Sequence, residues 1–206
     1  MKKSILLGTL GLVTMTSSSF GQGFIALDNY STYGPLITYG PGVPANGISG
    51  ALGTPGTGLL GGWTVGIYYA LGTFSLTDPP GDGLPLAPLI LATGAGSTVA
   101  VYTSAFNTPG EFSSALGLNV GGNAGDLITA EIVVYDTASG SYANAWYRGH
   151  SAPFTMPTVA GSSPTAAYTG DYMPAFSLPI PVPEPSNLIL AGLAGLSLWL
   201  LRRKKA

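Results

Sequence analysis

Between residues 63 and 71 the chain reads Trp-Thr-Val-Gly-Ile-Tyr-Tyr-Ala-Leu, and its bulky side chains recur at every second position: Trp63, Val65, Ile67, Tyr69 and Leu71. A period of two places these five side chains on one face of a pleated, half-buried strand. Residues 127–135 make the same point by composition. Ile128, Thr129, Ile132, Val133 and Val134 are β-branched, and such a run suits a strand buried on both faces, here with Glu131 as the exposed exception. The turn-forming residues 136–140 follow, and residues 141–148, with Tyr142, Trp146 and Tyr147, are predicted to return as the second arm of a hairpin.

Further strands are predicted at residues 24–30, 36–39, 89–93, 98–103 and 154–156, with one short helix at 111–118. Many short strands separated by Gly and Pro clusters predict an all-β fold, an antiparallel β-sandwich or jelly roll. The body, residues 22–173, is long enough for one domain with a substantial core. It holds no cysteine, so disulfides, thiol nucleophiles and cysteine-ligated metals are excluded. Residues 40–62 carry nine glycines and are expected to form a mobile loop without strands. From 174 to 185 there are five prolines. They predict an extended stalk, roughly 35 Å at full length, beginning at 174–181.

Charge is distributed unevenly. Of seven basic residues, Lys2 and Lys3 lie at one end and Arg202, Arg203, Lys204 and Lys205 at the other, leaving Arg148 alone against eight carboxylates in residues 22–181, a formal −7. So anionic a body does not suit nucleic acid, whose phosphates require Lys and Arg. The basic ends read instead as topological signals. Residues 1–21 have a charged tip, an apolar run from Ile5 to Met15 and small residues before a cleavage site expected between Gly21 and Gln22, the plan of an export signal removed by signal peptidase. Near the other end, residues 188–201 are free of charge, and as a helix would rise about 21 Å against a hydrocarbon core of ~30 Å. Ser186 and Asn187 at one side and the stems of Arg202 and Arg203 at the other extend that reach, so a transmembrane helix at 187–201 with a basic stop at 202–205 is predicted. Both ends then face the cytoplasm and the body lies outside.

The C-terminal segment 182–206 begins Val182-Pro183-Glu184-Pro185-Ser186 and continues into the apolar run and the basic cluster. In that order the three features resemble the PEP-CTERM sorting signal of Gram-negative bacteria. The start of the mature chain, QGFIALDNYSTYGPLITYG, is similar to the N-terminal end of PEP-CTERM proteins of the verrucomicrobial kind. The resemblance implies recognition of Pro183, Glu184 and Pro185 by an exosortase at the inner membrane, removal of the tail, and delivery to the cell surface or an extracellular polysaccharide matrix. Two prolines that keep the peptide extended, with Glu184 as a fixed charge between them, are compatible with such recognition.

Catalytic signals are sparse. His150 is the only histidine, which rules out a zinc site built of several His ligands and leaves one imidazole for any triad. No Gly-x-Ser-x-Gly elbow occurs, and Arg148-Gly149-His150-Ser151 reads as a strand running into a loop. Glu111 or Glu131 with an aspartate could in principle flank a sugar, but their spacing selects no pair, and solvated surface positions are expected for both. Asp78-Pro-Pro-Gly-Asp82-Gly83 has carboxylates for calcium without the ligand ladder of an EF-hand, and is expected to be a turn. No metal or cofactor is therefore expected, nor an enzyme. All 11 tyrosines lie in the body, and Tyr30, Tyr33 and Tyr39 beside Asp28 could stack on and hydrogen-bond a polysaccharide, with Tyr30, Tyr33 and Asp28 as contacts; the alternative is that these rings edge a sheet core. The sequence thus points to an exported structural or adhesive protein, with a carbohydrate-binding module and a secreted hydrolase as alternatives.

Overall fold

The computed structural model describes residues 22–47, 50–102, 108–161 and 167–179. The export signal 1–21 with Gly21, the motif Pro183-Glu184-Pro185, the span 187–201 and the basic stop Arg202 to Lys205 lie outside the described residues. Among the described residues no helix is long and apolar enough to cross a membrane.

The chain is mostly β. A six-stranded antiparallel sheet is built on the pairing of β3 (Trp63–Leu71) with β7 (Leu127–Asp136), in unbroken register from Trp63 opposite Asp136 to Leu71 opposite Ile128. The free edge of β3 is taken by β4 (Ile90–Leu91) and β5 (Thr98–Ala100). That of β7 is taken by β8 (Arg148–His150) and β9 (Phe154–Pro157). A second sheet centres on β1 (Gln22–Ala26), which pairs antiparallel with β6 (Leu118–Asn123) and β10 (Val159–Ala160) and parallel with β11 (Ala167–Tyr168). A short parallel pair joins β2 (Ile37–Thr38) to β12 (Phe176–Ser177).

Alternation decides which face of the large sheet meets the main core. Trp63, Val65 and Ile67 of β3 and Ile128, Ala130, Ile132 and Val134 of β7 are buried together with Ile25, Leu118 and Val120 of the second sheet. The opposite face of β7 carries Val133 and Tyr135, which pack with Tyr142, Ala145 and Tyr68 in a smaller cluster. Two connections cover that face. The β7–β8 connection contains 3-10 turns at Thr137–Ser139 and Tyr142–Asn144, and the β3–β4 segment, residues 72–89, is tied down where Phe74 N donates to Thr129 Oγ1 and Tyr142 Oη donates to Gly83 O.

Several expectations change. The hairpin forms, but its return arm is Arg148–His150, because residues 142–144 turn to bury Tyr142. No helix forms at 111–118: Tyr102 N donates to Glu111 O and Asn29 N to Phe112 O, so the carbonyls that a first helical turn would use are taken by neighbouring segments, and Leu118 already begins β6. Among its described residues the glycine-rich segment makes no strand, yet it is not a free loop: it folds back on itself through Gly53 N to Val43 O and Ala45 N to Ala51 O, with Val43 and Leu59 in the core. The stalk expected from 174 does not begin there. Phe176 and Leu178 are core residues, Leu178 N donates to Thr38 O at 3.0 Å, and the domain therefore includes the first residues of the proline-rich segment.

Candidate functional site

Glu131 sits midway along β7, directly opposite Tyr68 and on the face turned away from the main core. A charged residue there was expected to be solvated, but its side chain is 0% exposed. Neither carboxylate oxygen receives a hydrogen bond from the described residues. Such a group is costly in a sheet interior, and it singles out its surroundings.

Register brings the lone histidine alongside. Val133 faces His150, whereas Ala130 faces Phe154. Three steps along β7 thus correspond to four on the neighbouring strand, which is the signature of a β-bulge at residues 151–153, opposite Glu131. Ser151 repairs the ladder there: Ile132 N donates to Ser151 Oγ at 3.0 Å, and Ser151 Oγ donates to Ala152 O at 2.9 Å. The hydroxyl is committed to the backbone, so the Ser151–His150 neighbours do not form a nucleophile–base pair.

His150 shares its face with Val133 and lies diagonally across from Glu131, within the reach of cross-strand neighbours. Its Nδ1 is 3.3 Å from Glu131 Oε2 and 2.9 Å from the carbonyl oxygen of Ser151. Both neighbours are acceptors, so the proton is assigned to Nδ1; it points to Ser151 O and leaves the Glu131 contact off the hydrogen-bond line. Burial, at 2% exposure, pulls the imidazole pKa down, but Glu131, the Ser151 carbonyl and the negative charge of Asp78 together outweigh it, and the net shift is upward.

The third member comes from the crossing segment 72–89. His150 N donates to Gly81 O at 2.8 Å, in an isolated antiparallel bridge that lays this segment along β8. The same turn delivers Asp78, half-buried, and one ligating atom each of Asp78, Glu131 and His150 lies within 4.8 Å of the others. Chemically, the trio can hold a proton or a cation. Arg148, two residues before His150, does not enter it: its guanidinium donates to the carbonyls of Asp82, Ala143 and Tyr142 and lies 5.6 Å from the Tyr142 ring centroid.

The tyrosine group anticipated for sugar contact is divided. Asp28 is 3% exposed, and its carboxylate accepts from Ser31 N, Ser31 Oγ and Ser113 Oγ, so it is a structural anchor and not a surface contact. Tyr39 is buried, donating to Ala45 O and accepting from Leu60 N. Tyr30, edge-on to Tyr102, and Tyr33, 90% exposed, remain at the surface. Glu111 is buried as well, with Oε2 engaged by Thr108 N. A different aromatic faces solvent more usefully. Trp146 is 63% exposed and lines an open cleft of about 390 Å³ with Tyr147, Asp136, Ala138, Ser139 and Gly47.

Asp78, Glu131 and His150 are each visible in the sequence, but separately, and Trp146 carries only a strand signal there. No protein-family model, curated protein or solved structure matches the chain.

Proposed function

We propose that the chain is an exported, non-enzymatic protein of the cell envelope or extracellular matrix, structural or adhesive in role, whose β-sandwich passenger is delivered by an N-terminal export signal and a PEP-CTERM-like sorting tail. The observation that carries this reading is the fixed order at the C-terminus: Pro183-Glu184-Pro185, a charge-free run, then Arg202 to Lys205. Its partners in transit are signal peptidase, an exosortase and the inner membrane. The body supports the passenger half. Its two larger sheets contribute Ile25, Leu118, Val65 and Ile132 to one interior, as the sheets of a sandwich do. Glu131, a carboxylate considered for hydrolysis, is sealed inside and presents no oxygen to a polymeric substrate.

Intact mass of the protein recovered from expressing cells tests the proposal. The expected species begins at Gln22 and lacks the segment following the sorting motif. A cytosolic species retaining both Met1 and Ala206 would overturn it.

A second reading, binding of an extracellular polysaccharide, is favoured by the exposed indole of Trp146 at the mouth of its cleft. Indole faces stack on the C–H faces of sugars, and Tyr147 and Ser139 place polar groups beside it.

A further inference from the structure

We propose that Asp78, Glu131 and His150 bind a divalent transition-metal ion of the zinc class, which ties the crossing segment 72–89 to β7 and β8. This departs from the expectation of no metal, and it goes beyond the sorting function without depending on it.

The donor set comes from three separate parts of the fold, and its ligating atoms already lie within 4.8 Å of one another. Ligands to a tetrahedral zinc ion sit ~2.0–2.2 Å from the metal and hence about 3.3–3.6 Å apart, so a closure of up to about 1.5 Å, shared among the three side chains, completes the site. Asp78 can supply part of that movement. It lies in the Asp-Pro-Pro-Gly turn, and its carboxylate is held by Leu86 N at 3.3 Å, a long contact.

Glu131 points independently to a ligand. It is wholly buried in the centre of a sheet, with no donor on either oxygen among the described residues. An ion pair with His150 does not account for this. It engages one oxygen, at 3.3 Å and off the hydrogen-bond line, leaves the other bare, and does nothing for a second carboxylate, Asp78, in the same small space. A dication satisfies all of these groups and balances two carboxylates. Nδ1–H donates to the Ser151 carbonyl, the backbone contact that commonly fixes the ring of a metal-bound imidazole, so Nε2 is the nitrogen that would take the ion.

The identity of the donors sets the class of ion. Calcium and magnesium prefer shells made wholly of oxygen, with six or more ligands for calcium, whereas one imidazole with two carboxylates suits zinc, manganese or iron. Zinc tolerates a protein shell of three, with water completing it.

The test uses the full chain in mild detergent, without an added histidine tag, stripped with chelator and titrated calorimetrically with zinc chloride and, separately, calcium chloride. One equivalent of zinc should bind with micromolar or tighter affinity, and calcium should bind at least ~100-fold more weakly. Glu131→Gln and His150→Gln should each weaken zinc by more than ~100-fold and Asp78→Asn by at least ~10-fold, while Asp171→Asn leaves binding unchanged. Because the chain has one histidine, its ring NMR signals provide a second readout that is independent of affinity. Zinc should shift them in the parent and in Asp171→Asn, and should fail to do so in Glu131→Gln, whose amide dispersion shows that it is folded. Asp78→Asn, at the half-buried rim, keeps the test open if the Glu131 or His150 variants misfold. Absence of zinc binding tighter than ~1 mM, zinc binding that survives all three substitutions, or a preference for calcium would each overturn the proposal.

Discussion

The phenol of Tyr142 donates to the carbonyl oxygen of Gly83 at 2.7 Å, joining the β7–β8 connection to the segment that crosses the sheet from β3. Through this bond the turn delivering Asp78 is held over Glu131 and His150.

Tyr142 should make the protein sensitive to alkali. Burial pushes its pKa, and those of Tyr68 and Tyr135, above the ordinary phenol range. The folded state therefore keeps protons that the unfolded chain releases from about pH 10, and stability falls as pH rises past that point. Tyr142→Phe should cost about 1 kcal/mol at neutral pH, the worth of one hydrogen bond, and should lose less than the parent between about pH 10 and 12. Urea melts across that range would show the two curves converging; parallel curves would contradict the assignment.

The chain after Met173 should be part of the folded unit. Leu178→Ala is expected to destabilise by about 2–4 kcal/mol, as for other buried leucines. Gly40→Ala probes the same contact from its other side, since a Cβ there would collide with the Leu178 carbonyl, and should cost about 1–3 kcal/mol. Denaturant midpoints unchanged in both variants would restore the boundary at 173.

If the body binds a polysaccharide, Trp146→Ala should weaken binding on a glycan array by about tenfold, the ~1–1.5 kcal/mol of one aromatic contact. Tyr33→Ala should have little effect. The reverse order would return the binding face to Tyr30 and Tyr33.

Glu184→Ala should leave export intact and abolish removal of the tail. Mass spectrometry of membrane fractions should find a chain beginning at Gln22 and ending at Ala206. Processing indistinguishable from the parent would take the motif out of sorting.

Local pattern revealed the centre of the large sheet and little of its edges. β3 and β7 were legible because nine or ten residues of alternation or β-branching outweigh any neighbouring signal. β6, Leu-Asn-Val-Gly-Gly-Asn, and β12, set among prolines, were not, since only pairing with β1 and β2 makes strands of them. The Asp78–Glu131–His150 group eluded spacing rules because a crossing segment and a bulge bring its members together. One signal was present. A lone carboxylate in an otherwise apolar strand must find a partner, and the chain's single histidine, beginning its own loop downstream, was the natural candidate.

Parallel pairing sets the order in which the domain can be completed. Ile25 of β1 rests beside Ala167 of β11, and Ile37 of β2 beside Phe176 of β12, so the earliest strands wait for the latest. A chain threaded through a membrane from its N-terminus would emerge with β1 and β2 still lacking these neighbours until nearly the last residue of the body had crossed. For a chain exported in that way, closure would be a late event, and the body would stay pliable for almost the whole of its passage.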